Sequence, residues 1–127
     1  MRITAFGFGF ALLAMLLLLV VDAENVVITG GCNSEKIPIA GDFYSTADAM
    51  LANLATNTAM HGYHYKTSNP GTTTAYGEAT CIPTSTSDCT GCLGHARDAI
   101  WPLCHYAVSA SIQNGDECYL RYEQYNF

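Results

Sequence analysis

Three cysteines fall within the stretch CIPTSTSDCTGC, and its last two, Cys89 and Cys92, stand in a Cys-x2-Cys spacing with His95 three residues further on. That set admits three chemistries. With Cys104 or His105 as a fourth ligand, Cys89, Cys92 and His95 could hold zinc, because helical positions three apart share one side. A Cys-Thr-Gly-Cys at a helix start could instead be a redox dithiol, its thiolate favoured by the exposed amides of the first turn. Or the sulfurs are ends of a disulfide framework. A second group, His61, Tyr63, His64 and Tyr65, brings imidazoles and phenols together, although an exposed aromatic edge strand is the simpler account of it. A hydrolase triad finds no footing, since no Gly-x-Ser-x-Gly elbow is present and nothing singles out one serine.

The compartment decides among the cysteine chemistries, and the first residues speak to it. MRITAFGFGFALLAMLLLLVVDA has a basic start, an apolar run and a small-residue exit, the pattern of a secretory signal peptide cut after Ala23. A membrane anchor is the competing reading, but a basic stop-transfer cluster does not follow the run. The expectation is therefore residues 1–23 as signal, and 24–127 as one secreted domain without stable membrane insertion after cleavage. In an oxidising compartment zinc loses its thiolates, and a thioredoxin-type dithiol does not sit among four further cysteines. All six cysteines, Cys32, Cys81, Cys89, Cys92, Cys104 and Cys118, lie after residue 23, an even set read as three bridges whose pairing the sequence leaves open. No metal or cofactor is called for.

Charge excludes other classes. The chain has five Lys and Arg against eleven Asp and Glu, a net charge of −6 that the loss of Arg2 and Asp22 leaves unchanged. Nucleic acid needs clustered cations that are missing here, and so does a cationic membrane-disrupting helix.

The elements follow from periodicity. A short strand at residues 26–29 leads to Gly30-Gly31, read as a turn. Ser45 is the expected N-cap of a helix with Met50, Leu51, Leu54 and Ala55 on one side, stopped by Gly62. The run 62–67 alternates as a strand, and an Asn-Pro-Gly turn leads into another ending at Cys81. A second helix is expected from near Asp88, with Cys92, Leu93, Ala96 and Ile100 inward, ending or kinking around Trp101 ahead of Pro102. Strands at 107–112 and 118–122 close on an Asn114-Gly115 turn. The order β, α, β, β, α, β, β argues for an α+β fold, an antiparallel sheet with helices on one face.

GCNSEKIP, TAYGEATC, SDCTGCL and ECYLRYEQYNF together resemble the plant cysteine-rich antifungal domain, domain of unknown function 26, in its ginkbilobin-like secreted form, across Cys32 to Phe127. The resemblance implies two helices on a five-stranded antiparallel sheet and the bridges Cys32–Cys104, Cys81–Cys89 and Cys92–Cys118. The Cys81 to Cys89 loop is one residue shorter than the family's usual spacing. The resemblance further implies a non-catalytic plant defence protein, antifungal, secreted to the extracellular space or apoplast, holding mannose or mannan through an Asn, an Arg and a Glu. Asn33 and Glu123 match. The Arg position is filled by Ser111, or by Ile112 with a shift of one residue. Arg121, on one strand face with Glu123, could supply the guanidinium, or the two could form a plain surface pair. The alternative function is a module that has lost the sugar site and binds another extracellular protein.

Overall fold

A computed structural model describes residues 28–127; the signal segment, its cleavage point and the start of the first expected strand lie outside them. In chain order the elements are β1 (Ile28–Cys32), α1 (Phe43–Asn57), a 3-10 turn (Thr58–His61), β2 (His64–Asn69), β3 (Ala75–Cys81), α2 (Thr86–Cys104), β4 (Ala110–Asn114) and β5 (Cys118–Glu123). The strands form one sheet in the order β1-β4-β5-β3-β2, every neighbouring pair antiparallel. Both helices cover the same face. Met50, Leu51 and Leu54 of α1 and Leu93, Ala96 and Ile100 of α2 are buried against Ala79, Ile112, Leu120 and Tyr122 of the sheet.

Strand alternation makes this face apolar and the other polar. β5 buries Cys118, Leu120 and Tyr122 and turns Tyr119, Arg121 and Glu123 outward, and β3 does the same with Ala75, Gly77 and Ala79 against Tyr76 and Glu78. At Gly77 the helix lies so close that a Cβ would meet the Met50 sulfur at 2.2 Å and Leu54 Cδ1 at 2.9 Å. Only a glycine lets the two layers approach here.

Five local expectations are corrected. Gly30 and Gly31 do not turn the chain: they lie inside β1, paired with Ile112 and Ser111. Their use is close approach, since a Cβ on Gly30 would stand 2.9 Å from Leu103 and 3.1 Å from the Ser111 carbonyl. Helix α1 begins before Ser45. Its cap is Asp42, whose carbonyl accepts from the Thr46 N–H at 2.9 Å, because Phe43 is drawn into the core beside Tyr122 and brings the first turn with it. Helix α2 is capped by Ser85, not Asp88; the Ser85 hydroxyl accepts from the Asp88 N–H at 3.0 Å, with the Asp88 carboxylate favourably placed in the first turn. And α2 runs through Pro102 to Cys104. A proline in the last turn forfeits a single bond, to the Asp98 carbonyl, and the end is closed beyond it by the N–H groups of His105 and Tyr106 on the Trp101 carbonyl. The strand expected at 107–112 is also later, Ala110–Asn114; Ala107 makes only an isolated bridge to Lys36.

The sulfurs pair as Cys32–Cys104, Cys81–Cys89 and Cys92–Cys118, which leaves no free cysteine among the described residues. Cys89 and Cys92 therefore belong to different bridges. Neither a dithiol nor a thiolate zinc site can be built from them, and the opening cysteine cluster is a clamp that holds α2 to β3, to β5 and, through Cys104, to β1. Tyr122 is wholly buried, and its hydroxyl donates to the Ala107 carbonyl. Burial pushes that phenol well above the usual tyrosine range, with the Glu123 charge adding to it.

Candidate functional site

Of the residues expected to hold sugar, Ser111, Arg121 and Glu123 lie on the outer face of the sheet. Register places Gly31, Ser111, Arg121, Glu78 and Lys66 in a single row across all five strands. Ser111 and Arg121 are direct cross-strand partners, so their Cβ atoms are about 5 Å apart. Asn33 sits one step past β1: its N–H donates to the Ser109 carbonyl at 3.1 Å, while its side-chain oxygen accepts from the Glu35 N–H at 2.8 Å. Asn33 is thereby fixed by an Asx turn at the rim of the sheet. Ile112 faces the core and is buried, which removes it from the outer face.

Arg121 and Glu123 do meet. The Arg121 Nε donates to Glu123 Oε2 at 2.9 Å, with 26% and 12% of their side chains exposed. Burial works to lower the Arg121 pKa, but the hydrogen bond and charge of Glu123 outweigh it and the net direction is upward. The guanidinium is further held in a way the sequence reading missed. Its NH2 group reaches the Tyr125 hydroxyl at 3.4 Å, and its carbon stands 3.8 Å above the ring of Phe127. Lys66 Nζ approaches the same ring at 4.7 Å and donates to the Phe127 carbonyl oxygen. The chain after β5 thus folds back over the outer face and places an aromatic ring between two cations. A signal for this was available: positions 119, 121, 123, 125 and 127 share the strand's period of two, and three of them are aromatic.

The histidine group does not assemble. His61 stacks on Tyr65, ring centroids 3.7 Å apart, and its Nδ1 lies 2.9 Å from the Asn57 carbonyl. His64 points to the outer face and pairs with Glu78 at 2.7 Å. The two imidazoles serve different surfaces of the edge strand β2. A hollow of about 830 Å³ lies elsewhere again, between the start of α2 and the β4–β5 turn. Asp88, His95, Asp116 and Glu117 line it, and none of the expected sugar-binding residues does.

These residues therefore form an open, polar and aromatic patch on the outer face of a disulfide-clamped α+β domain. The salt stress response/antifungal family model matches residues 31–125. The chain belongs to that family. It is 43% identical to antifungal protein ginkbilobin-2 of Ginkgo biloba over 98% of this chain and 95% of that one. It is 42% identical to antifungal protein ginkbilobin-like protein 1 of Picea sitchensis, with 94% and 96% covered. Among solved structures the tandem DUF26 ectodomain of the Arabidopsis thaliana cysteine-rich receptor-like protein PDLP8 superposes with a TM-score of 0.69 at 28% identity, covering 78% of this chain and 49% of that one. The chain spans about half of that tandem ectodomain. No helix among the described residues is long and apolar enough to cross a membrane.

Proposed function

We propose that this chain is a secreted plant defence protein, antifungal in kind, that binds mannose or the mannan of fungal walls through the outer sheet face and catalyses no reaction. The observation that carries the reading is the register of β4 and β5. Ser111, where the family resemblance expects Arg, lies directly opposite Arg121, so a guanidinium is present one strand over and already bonded to Glu123. An extended Arg side chain readily crosses the spacing of two strands. Asn33, Arg121 and Glu123 then supply amide, guanidinium and carboxylate for the hydroxyls of one sugar ring, in a site open enough to admit a polymer chain.

Each charge-assisted bond contributes about 1.5–3 kcal/mol, against about 4 kcal/mol for the whole of a millimolar affinity. Loss of one partner is therefore enough to erase binding. The test is titration of the secreted protein with mannose, together with pull-down on insoluble mannan. Wild type should bind at millimolar mannose, while Arg121→Gln and Glu123→Gln should not, with melting temperatures little changed. A blank wild-type result rejects the sugar half of the proposal.

A second reading keeps the extracellular role and replaces the ligand. The Arg121 guanidinium is already bonded to Glu123 and stacked on Phe127, and that internally satisfied surface suits recognition of another extracellular protein through aromatic and charged side chains. The PDLP8 likeness is in keeping with it. Under this reading Ser111→Arg creates mannose binding that wild type lacks; under the first it changes little.

A further inference from the structure

On the helical side of the domain, away from the outer sheet face, the start of α1 and the end of α2 enclose a cleft of about 260 Å³ lined by Tyr44, Asp48, Arg97, Trp101, Pro102 and Tyr106, with Asp98 at its edge. Its floor is Trp101, the chain's single tryptophan, which is 5% exposed. Tyr44 meets the indole edge-on at 4.8 Å, and Tyr106 lies nearly parallel to it at 5.9 Å, 17° between planes. Packing accounts for the tryptophan. It does not account for the tyrosines, which remain 41% and 49% exposed and keep an aromatic wall open to solvent.

The backbone makes the same point. His105 and Tyr106 are consecutive non-glycine residues with positive φ, 52° and 57°. The first is an ordinary left-handed helix cap, closing on the Trp101 carbonyl. The second is pinned on both sides, its N–H on the Trp101 carbonyl at 3.1 Å and its carbonyl accepting from the Ile37 N–H at 2.9 Å, and this fixed backbone sets the Tyr106 ring beside Trp101. Non-glycine residues seldom adopt this conformation unless the surroundings hold it, and here two backbone hydrogen bonds do, so the aromatic wall is preorganised.

The rim is polar and fixed. Asp48 accepts from Arg97 Nε at 3.2 Å, Arg97 NH2 at 2.9 Å and Trp101 Nε1 at 3.0 Å, which locks one carboxylate, one guanidinium and the indole together. Arg97 retains donors not used on Asp48. Pro102 leaves the Asp98 carbonyl without its helical donor, and the Asp98 side chain is exposed beside it.

Ring faces beneath a hydrogen-bonding rim match a molecule with an apolar face and a polar edge. A pyranose is such a molecule: its axial C–H bonds make the face and its equatorial hydroxyls the edge. A polyproline peptide also stacks on aromatics, but it needs a longer groove and leaves the charged rim unused. We propose that the Tyr44–Trp101–Tyr106 cleft is a second carbohydrate site, for an all-equatorial pyranose of the β-1,4-linked glucose or N-acetylglucosamine type. Mannose suits it less, because its axial 2-hydroxyl interrupts one face. The cleft shares no residue with the Asn33, Arg121 and Glu123 surface and stands or falls separately from it.

Trp101 makes the site self-reporting. The experiment titrates the secreted protein with cellotetraose and with chitotetraose while following tryptophan emission. The expected result is a saturable change for at least one of them at about millimolar sugar, weakened roughly tenfold or more by Tyr106→Ala, retained by Tyr106→Phe, and unaffected by Glu123→Gln. Should Tyr106→Ala fail to fold, Tyr44→Ala replaces it, with melting temperature as the control on both. No emission change in wild type with either sugar overturns the proposal. So does a folded Tyr106→Ala protein that binds as well as wild type, or a polyproline peptide that gives the response the sugars do not.

Discussion

Replacing Cys81 and Cys89 together by alanine should destabilise the domain less than removing either of the longer bridges. The bridges span 72, 26 and 8 residues, Cys32–Cys104, Cys92–Cys118 and Cys81–Cys89 in that order. Loop-closure entropy restored to the unfolded chain is then about 4.4, 3.5 and 2.5 kcal/mol respectively. Each buried sulfur removed adds a cavity term of about 1 kcal/mol. Cys81, Cys89, Cys92 and Cys118 are all buried, whereas only Cys104 of the first pair is, so the two longer bridges come out equal and the shortest trails them by about 1 kcal/mol. Against a total of roughly 5–15 kcal/mol this is measurable. The assay is urea unfolding of the three double-alanine proteins, compared by midpoint at constant slope. The loss has a functional side, because Cys32 anchors β1, an edge strand with only Ile28 part-buried, and Asn33 follows it directly. If the Cys81–Cys89 variant proves the weakest of the three, chain entropy is not what these bridges supply, and the reasoning fails.

Two further outcomes follow from the core. Gly77→Ala forces Met50 and Leu54 off the β3 surface, since the new methyl would lie 2.2 Å from the Met50 sulfur; Met50 is flexible, so the cost should be about 1–3 kcal/mol in urea unfolding, with secondary structure retained. Tyr122 sets an alkaline limit. Its pKa is raised in the folded state by burial, so the native protein holds a proton that the unfolded chain releases near pH 10; stability is full below that pH and falls as pH rises through and beyond it. Ultraviolet titration should find one phenol that ionises only with unfolding, and a Tyr122→Phe protein should lose that coupling.

How far the sequence revealed this molecule depended on the range of the forces involved. Periodicity located both helices and the alternation of β2 and β5, because burial of one face is written into every second or third residue. Element ends were less legible. Asp42, Ser45, Ser85 and Asp88 can all cap a helix, and the choice fell to Phe43 and the Cys81–Cys89 bridge, which are tertiary constraints. Gly30-Gly31 carries the composition of a turn, yet what crowds Gly30 is Leu103 and the Ser111 carbonyl, over seventy positions away. The Arg121–Glu123 pair was visible from strand parity. The fold-back of Phe127 onto Arg121 left only the shared parity of positions 119 to 127 as a sign, while Tyr44, Trp101 and Tyr106 have no sequence spacing in common and only the packed structure brings them together.

The position of the arginine has a consequence for the sheet site. Cross-strand partners on one face are near-equivalent platforms for a long side chain, because their Cβ separation of about 5 Å is shorter than the side chain itself. A guanidinium carried by β5 instead of β4 can therefore reach the same patch of surface, but it starts two residues from Glu123 on the same strand, and the pair bonds directly at 2.9 Å. A ligand must then share or replace that bond, and must accommodate the Phe127 ring beneath the same guanidinium. The two effects act in opposite directions. The internal bond and stacking hold Arg121 in place, which lowers the entropy lost on binding, while competition for its donors weakens each new contact. Phe127→Ala separates them: with the stack removed, affinity for mannose rises if competition dominates and falls if pre-organisation does, whereas Arg121→Gln abolishes it in either case.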